Sequence, residues 1–113
     1  MKVLFKSTKF KKICDDERKL NGVYGKSCAK KLKHCLGVLK AIETLSDISN
    51  LKPLRCHELS GNHKGRLSVD LDHPYRLLFR PDHEPIPSKP DGGLDRTKVT
   101  AVVIIGIEDT HGA

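Results

Sequence analysis

The spacing of the apolar residues changes along this chain near Pro53. After a short strand at residues 2–6 they recur every three or four positions, as on one face of a helix, and beyond Pro53 they alternate with polar residues, as on a half-buried strand. Helical segments followed by strands, and not interleaved with them, indicate an α+β domain in which helices cover one face of a mostly antiparallel sheet. The chain has 113 residues, the size of one such domain, so we expect residues 1–113 to form a single domain.

The pattern predicts two helices packed on one face of a small four-stranded sheet. Residues 99–109, VTAVVIIGIED, are apolar on both faces and therefore belong at the centre of the sheet. Residues 81–98 contain four prolines and two glycines, which indicates an unusually long loop. The expected order is strand 2–6, a helix from Ser7 or Thr8 to Asn21-Gly22, a helix from Tyr24 to about Leu45, strand 66–71, strand 75–80 and strand 99–109.

The predicted hairpin carries arginines on its polar side. Its apolar residues alternate with Arg66, Arg76 and Arg80, so these arginines face away from the helices if the apolar side faces toward them. Arg76 and Arg80 are four residues apart, which is roughly 13 Å along a strand. This spacing suits the binding of neighbouring phosphates on an extended strand of nucleic acid.

The net charge of +7 is unevenly distributed along the chain. Residues 1–40 contain 12 Lys and Arg against 3 Asp and Glu, so the excess lies in the first third. A basic surface of this kind favours a polyanionic partner such as nucleic acid, or an acidic protein. The alternative is a solvated lysine-rich helix face that binds nothing.

The four cysteines contain no Cys-x-x-Cys pair, and we interpret them as reduced, buried thiols. A zinc site built from Cys56, His57 and His63 is an alternative that lacks a known ligand spacing, so we expect no metal. No apolar run is long enough to span a membrane, and the N-terminus MKVLFKSTKF lacks the features of a signal peptide. We therefore expect a cytoplasmic protein with no membrane partner.

Five stretches occur in order along nearly the whole chain: KVLFKSTKFKKICDDERKL, YGKSCAKKLKHCLGVLKAIETL, RCHELSGNHKGRLSVDL, YRLLF and IIGIEDTHG. Together they resemble the RelE/HigB superfamily of type II toxins, specifically its HigB or plasmid maintenance system killer branch. The resemblance implies a fold similar to that of the small microbial ribonucleases. It implies a ribosome-dependent mRNA endoribonuclease, or mRNA interferase, that cuts mRNA in the ribosomal A site and stops translation without metal or cofactor.

The resemblance also implies the partners of the chain. The first is mRNA on the ribosome, and the second is a helix-turn-helix antitoxin of the HigA type encoded beside the toxin. Operator DNA is expected to bind only the toxin–antitoxin complex.

Metal-free RNA cleavage by attack of a ribose 2′-hydroxyl needs a base, cations on the phosphoryl oxygens and a donor for the departing 5′-oxygen. His111 matches the histidine that ends the family's Asp-Tyr-His motif, and imidazole suits proton transfer. Arg76 matches the arginine of the family's Trp/Tyr-Arg-Leu/Ile-x-Phe strand and is expected to stabilise the transition-state charge. Arg80 and Lys64 lie near further basic positions of the family, where they contact phosphate or assist the leaving group. Which residue acts as base and which as acid stays open.

Several further residues are expected to contact RNA. Thr110 stands where the family commonly has a tyrosine, which removes a ring that stacks on a base, and Tyr75 is the candidate substitute. Arg66 is either a catalytic cation or a surface residue of the strand. Lys30 and Lys33 of the long helix contact RNA phosphates, the antitoxin or only water.

Two other functions are compatible with the sequence. The first is a non-catalytic nucleic-acid-binding module that acts with an antitoxin as an operator-binding repressor. The second is a protein-interaction domain, which the clustered arginines disfavour. We interpret His57, which matches a His-x-Leu stretch of the family, as structural. The loop at residues 81–98 is longer than is usual in the family.

Overall fold

The computed structural model describes residues 1–48, 54–60 and 65–109. Two of the predicted catalytic residues, Lys64 and His111, lie outside these ranges.

The described residues form a five-stranded mixed sheet with helices on one side. The strand order is β1-β5-β4-β3-β2, in which β1 runs parallel to β5 and the other neighbours are antiparallel. The α+β class is confirmed, and the last strand lies inside the sheet between β1 and β4, although β4 and not β5 is the middle strand. The strands are β1 (Lys2–Phe5), β2 (His57–Glu58), β3 (Leu67–Asp70), β4 (Tyr75–Pro81) and β5 (Ala101–Asp109).

The expectation of four strands was wrong because β2 has only two residues. Two residues are too few to show the alternation that identifies a strand in sequence. β2 is recognisable only by its pairing with β3, in which His57 lies opposite Ser68 and Glu58 opposite Leu67.

Three helices replace the two that were predicted: α1 (Thr8–Asp15), α2 (Glu17–Tyr24) and α3 (Lys26–Ala41). Asp16 divides the expected first helix, since its backbone is extended and its carboxylate accepts hydrogen bonds from the amides of Arg18 and Lys19. Asn21-Gly22 does not end a helix; Gly25, at φ +86°, separates α2 from α3. No helix in the described ranges is long and apolar enough to cross a membrane.

The core lies between α1–α3 and one face of the sheet. It contains three of the four cysteines, Cys28, Cys35 and Cys56, while Cys14 is partly exposed, and all four are free thiols. The prediction of reduced cysteines is therefore confirmed, and burial of three of them with it. The largest fully buried side chains are those of Leu20, Leu32, Leu39, Leu45, Leu67, Val69, Leu77, Phe79, Pro81, Val99, Val102 and Ile104.

The long loop after β4 packs on the helix side of the sheet. Leu94 contacts the core, and its amide donates a hydrogen bond to Glu58 Oε1 at 3.1 Å. The guanidinium of Arg96 donates to the carbonyl oxygen of Cys56 at 3.4 Å. These contacts attach the loop to β2 and its neighbour Cys56 on the helix side of the sheet, so they do not cover the opposite face.

Candidate nucleic-acid interface

Strand register places a set of polar side chains on the face of the sheet that is turned away from the helices, called the open face below. Directly paired residues on neighbouring strands point to the same side, and alternate residues along a strand point to opposite sides. Because Leu77 and Phe79 enter the core, Arg76 and Arg80 belong to the open face. The open face carries His57, Ser68, Asp70, Arg76, Leu78, Arg80, Val103 and Glu108.

A bulge in β5 brings Glu108 to the open face. Ile104 and Glu108 are four residues apart and would share a face in a regular strand. The pairing shifts between Leu78, which lies opposite Gly106, and Phe79, which lies opposite Ile104. This shift gives β5 one extra residue and reverses the alternation. Ile104 therefore faces the core while Glu108 lies beside Arg76.

Arg76 is held by Glu108 through two hydrogen bonds to one oxygen atom. The Nε and Nη2 atoms of Arg76 lie 2.6 and 2.5 Å from Oε2 of Glu108. The side chains are only 23% and 24% exposed, so this ion pair is partly shielded from water. A charge-assisted pair with this geometry fixes the orientation of the guanidinium.

The pair continues into a row of alternating charge across three strands. Asp70 lies opposite Arg76 on the other side and pairs with Arg55, whose Nη1 is 3.2 Å from Oδ2 of Asp70. The row thus runs Arg55, Asp70, Arg76, Glu108, and its formal charges cancel. Both guanidinium groups of this row, those of Arg55 and Arg76, already pair with a carboxylate, so a phosphate that binds here must share them with Asp70 or Glu108.

His57 and Ser68 form a hydrogen-bonded pair next to this row. The Nδ1 atom of His57 is 2.7 Å from the carbonyl oxygen of Arg55 and must donate, because a carbonyl oxygen only accepts. In the neutral ring Nε2 then lacks a proton and accepts from the Ser68 hydroxyl at 3.3 Å. Ser68 is fully buried, so its position is well defined by packing.

This pair was missed by the sequence analysis, which assigned His57 a structural role. The available signal was weak, because Ser68 is one polar residue in an alternating strand and His57 precedes it by 11 positions. Only the pairing of β2 with β3 brings the two side chains together. The result is an imidazole hydrogen-bonded to a buried hydroxyl group on the same face as Arg76 and Arg80.

Arg80 and Arg66 lie toward the other end of the hairpin. Arg80 is exposed, and its Nη1 is 3.5 Å from the carbonyl oxygen of Pro81. Arg66 is partly buried immediately before β3, where it lines a cavity of about 110 Å³ together with Ile86 and Leu94 of the long loop. Arg80 is therefore the more accessible of the two guanidinium groups.

Tyr75 does not share the face of the arginines. It precedes Arg76 in β4 and contacts the core from the helix side. Its ring packs edge-on against Tyr24, with ring centroids 5.7 Å apart and an interplanar angle of 81°. The alternation in the sequence therefore predicted correctly that Tyr75 faces the helices. Its ring lies on the opposite face from Arg76 and Arg80, so it cannot stack on a base that is bound beside them.

Lys30 and Lys33 lie on α3, also on the helix side of the sheet. Lys33 pairs with Glu17 at 2.8 Å, and this hydrogen bond lowers the pKa of the Glu17 carboxyl. Lys30 is exposed and borders a surface groove with Ser27 and His34. The structure therefore separates the predicted RNA contacts into two surfaces, the open face and the exposed side of α3.

Neither a reactive thiol nor a metal site adjoins the described part of the open face. Burial raises the pKa of Cys56, which precedes His57, to about 11, so this thiol stays protonated at neutral pH. Over residues 1–48, 54–60 and 65–109, no three His, Cys, Asp or Glu side chains come together as metal ligands. His63, which the zinc alternative requires, lies outside these ranges.

Comparison of the chain with protein-family models and with curated proteins finds no match. Fold and site together define a small α+β domain whose open sheet face combines arginines, carboxylates and a histidine. The relation to the RelE/HigB superfamily stays a prediction that rests on the five sequence stretches.

Proposed function

We propose that this chain is the toxin of a type II toxin–antitoxin system, a HigB-like, metal-free endoribonuclease that cuts mRNA on the ribosome. The observation that carries the proposal is the open face, where Arg76 and Arg80 lie on one strand beside the His57–Ser68 pair. The helices pack on the opposite face of the sheet, so we expect an RNA strand to approach these side chains from the open face. Arginines offer that strand two donors for each phosphate.

The proposed reaction is attack of a ribose 2′-hydroxyl on the adjacent phosphate. It yields a 2′,3′-cyclic phosphate on one fragment and a 5′-hydroxyl on the other. Arg76 stabilises the charge that develops on the phosphoryl oxygens, and Arg80 binds a neighbouring phosphate. Lys64, by its resemblance to a basic family position, assists the leaving group.

Two histidines are candidates for the base that takes the 2′-hydroxyl proton. His111 is implied by the resemblance. His57 is supported by geometry, because its Nε2 atom is an acceptor whenever the ring is neutral. A His57→Ala variant that keeps full activity leaves His111 as the base, whereas a large loss in His57→Ala alone assigns the role to His57.

The proposed partners follow from the same assignment. The substrate is mRNA in the ribosomal A site, and a helix-turn-helix antitoxin of the HigA type neutralises the toxin in the cytoplasm. Operator DNA is bound by the toxin–antitoxin complex. Lys30 adds a phosphate contact outside the open face, which increases affinity without base preference.

The test is induction of the chain in a bacterial host, followed by mapping of new 5′ ends on cellular mRNA. We expect growth arrest and in-frame cuts for the wild type and neither for an Arg76→Ala/His111→Ala double variant that is folded by circular dichroism. Lys11→Ala is the control, since Lys11 is exposed on α1 and forms an exposed ion pair with Asp15. Intact mRNA with folded wild-type protein would contradict the enzyme assignment and favour a non-catalytic module that binds operator DNA with its antitoxin.

A further inference from the structure

Glu108 occupies one edge of the guanidinium that is proposed to bind the scissile phosphate. It accepts from Nε and Nη2 of Arg76 with a single oxygen, at 2.6 and 2.5 Å. A guanidinium has five N–H groups, so three remain to donate, two of them on Nη1. A phosphate that binds Arg76 must therefore approach the Nη1 side, with a carboxylate close by.

We propose that Glu108 is a positioning residue that orients Arg76 for the transition state and weakens the binding of RNA in the ground state. The inference rests on the proposed function and deepens it. It assigns to Glu108 a role in the reaction that the sequence resemblance did not give it.

The orienting effect follows from the flexibility of arginine. A free arginine side chain loses rotamer freedom when it binds a phosphate, whereas a pinned one has lost that freedom already. The geometry of a charged group matters most when negative charge develops in the reaction, because the required alignment is then narrow. Glu108 pins Arg76 from a neighbouring strand, which is more rigid than a loop.

The opposing effect on affinity follows from charge. A carboxylate in contact with the guanidinium cancels part of the field that attracts a phosphate. Asp70, the other cross-strand neighbour of Arg76, is paired with Arg55, so Glu108 is the acidic group hydrogen-bonded to Arg76 on the described open face. Glu108 thus improves the orientation of the Arg76 guanidinium but weakens its attraction for a phosphate.

The test compares rate and affinity in a Glu108→Gln variant. The rate is the single-turnover cleavage of mRNA in the A site of purified ribosomes at saturating protein, and the affinity is measured with a 2′-O-methyl mRNA that cannot be cut. We expect the rate to fall about tenfold, since one orienting contact in an active site contributes about this much or more. We expect the affinity to rise about threefold, since one repulsive charge is removed.

A second variant separates geometry from charge. Glu108→Asp keeps the negative charge but shortens the side chain by one methylene, so the contact with Arg76 is lost or lengthened. We expect it to cut more slowly without binding RNA more tightly. Asp72→Asn is the control, because it removes the same charge from a partly exposed pair with Lys31 at the hairpin turn, away from Arg76, and is expected to leave the cleavage rate unchanged.

The double variant Arg76→Ala/Glu108→Gln shows whether Glu108 acts through Arg76. If it does, Glu108→Gln has no further effect on the rate once Arg76 is absent. Equal losses of rate and affinity, or an unchanged rate in both Glu108 variants, would overturn the inference while the proposed function stands. Wild-type protein that binds the ribosome without cutting would overturn the proposed function, and the inference with it.

Discussion

Arg76 and Arg80 share a strand and a face but differ in their surroundings. Arg76 is held by a carboxylate and mostly shielded, whereas Arg80 is exposed and its guanidinium donates to the carbonyl oxygen of Pro81. A pinned, shielded cation acts mainly on the orientation of a bound phosphate. An exposed one acts mainly through attraction, and its contribution is screened by salt.

We therefore predict that Arg80→Ala weakens RNA binding more than it slows the cleavage of bound RNA. Removal of one phosphate contact should reduce the slope of log K against log salt concentration by about 0.7 to 1. Binding of a 2′-O-methyl RNA measured by fluorescence anisotropy at several salt concentrations checks this. An unchanged slope in Arg80→Ala would mean that Arg80 makes no phosphate contact.

The bulge in β5 determines which side chains meet on the open face. Gly106 adopts φ +151° within the bulge, a conformation that residues with a Cβ rarely adopt. Without the extra residue, Ile104 and Glu108 would face the same side, and either the core or the pair with Arg76 would be lost. The glycine is thus required by the backbone and not by space, since an added Cβ would meet no atom within 4 Å.

Gly106→Ala is expected to lower the free energy of unfolding by about 1 to 3 kcal/mol, the cost of a strained backbone conformation. Urea titration followed by circular dichroism measures this change. Gly37→Ala is the matched control, because Gly37 lies on the exposed side of α3 and a Cβ there also meets nothing within 4 Å. Since Ala favours a helix, Gly37→Ala should raise the free energy of unfolding by up to about 1 kcal/mol.

The break between α1 and α2 depends on one side chain. Asp16 accepts from the amides of Arg18 and Lys19 at 3.1 and 3.2 Å and so caps α2. Replacement of an N-cap aspartate by alanine costs about 1 kcal/mol. Asp16→Ala should therefore lower the urea midpoint, whereas Asp16→Asn, which keeps an oxygen acceptor, should stay close to the wild type. Equal midpoints for all three proteins would show that the cap does not stabilise the fold.

At the scale of the whole molecule, the helices divide the protein into two chemically different surfaces. The open face combines opposite charges with a histidine, whereas the exposed side of α3 is basic and includes Lys30. Catalysis requires a surface such as the open face, because contacts between its side chains fix their orientation toward a bound phosphate. Docking on a polyanion needs only the second.

Two thiols on the helix side of the sheet, the buried Cys35 and the partly exposed Cys14, are expected to make stability depend on pH. Burial raises the pKa of Cys35 from 9.0 to about 12 and, with a smaller contribution from Asp15, the pKa of Cys14 from 9.0 to about 11. In the unfolded chain these thiols lose their protons near pH 9, so above that pH the unfolded state binds fewer protons than the folded state. The free energy of unfolding must then fall as the pH rises from about 9 toward 11.

Urea midpoints at pH 7, 9 and 10 check this expectation. The decline between pH 9 and 10 should be smaller in Cys35→Ala than in the wild type, whatever the absolute stability of the variant. A decline of the same size in both proteins would assign the effect to other groups, such as Tyr24, whose pKa burial also raises.

The features that were predicted correctly from the sequence are those that depend on the spacing of residues close together in the chain. Alternation identified the hairpin and the side of the sheet on which Arg76 and Arg80 lie, and a run of residues apolar on both faces identified β5 as an interior strand. These features depend on residues two to four positions apart, within one strand or one helical turn. The division at Asp16 is also local, but an aspartate within an apolar helical pattern is compatible with an unbroken helix.

The sequence by itself therefore determined the α+β class, the reduced state of the cysteines and the face that carries the arginines. Only the tertiary structure decided that Glu108 holds Arg76 and that His57 is hydrogen-bonded to Ser68. The partners in these two contacts are 32 and 11 residues apart. Their meeting depends on strand order, register and one bulge, and a shift of one residue would point each side chain to the opposite face.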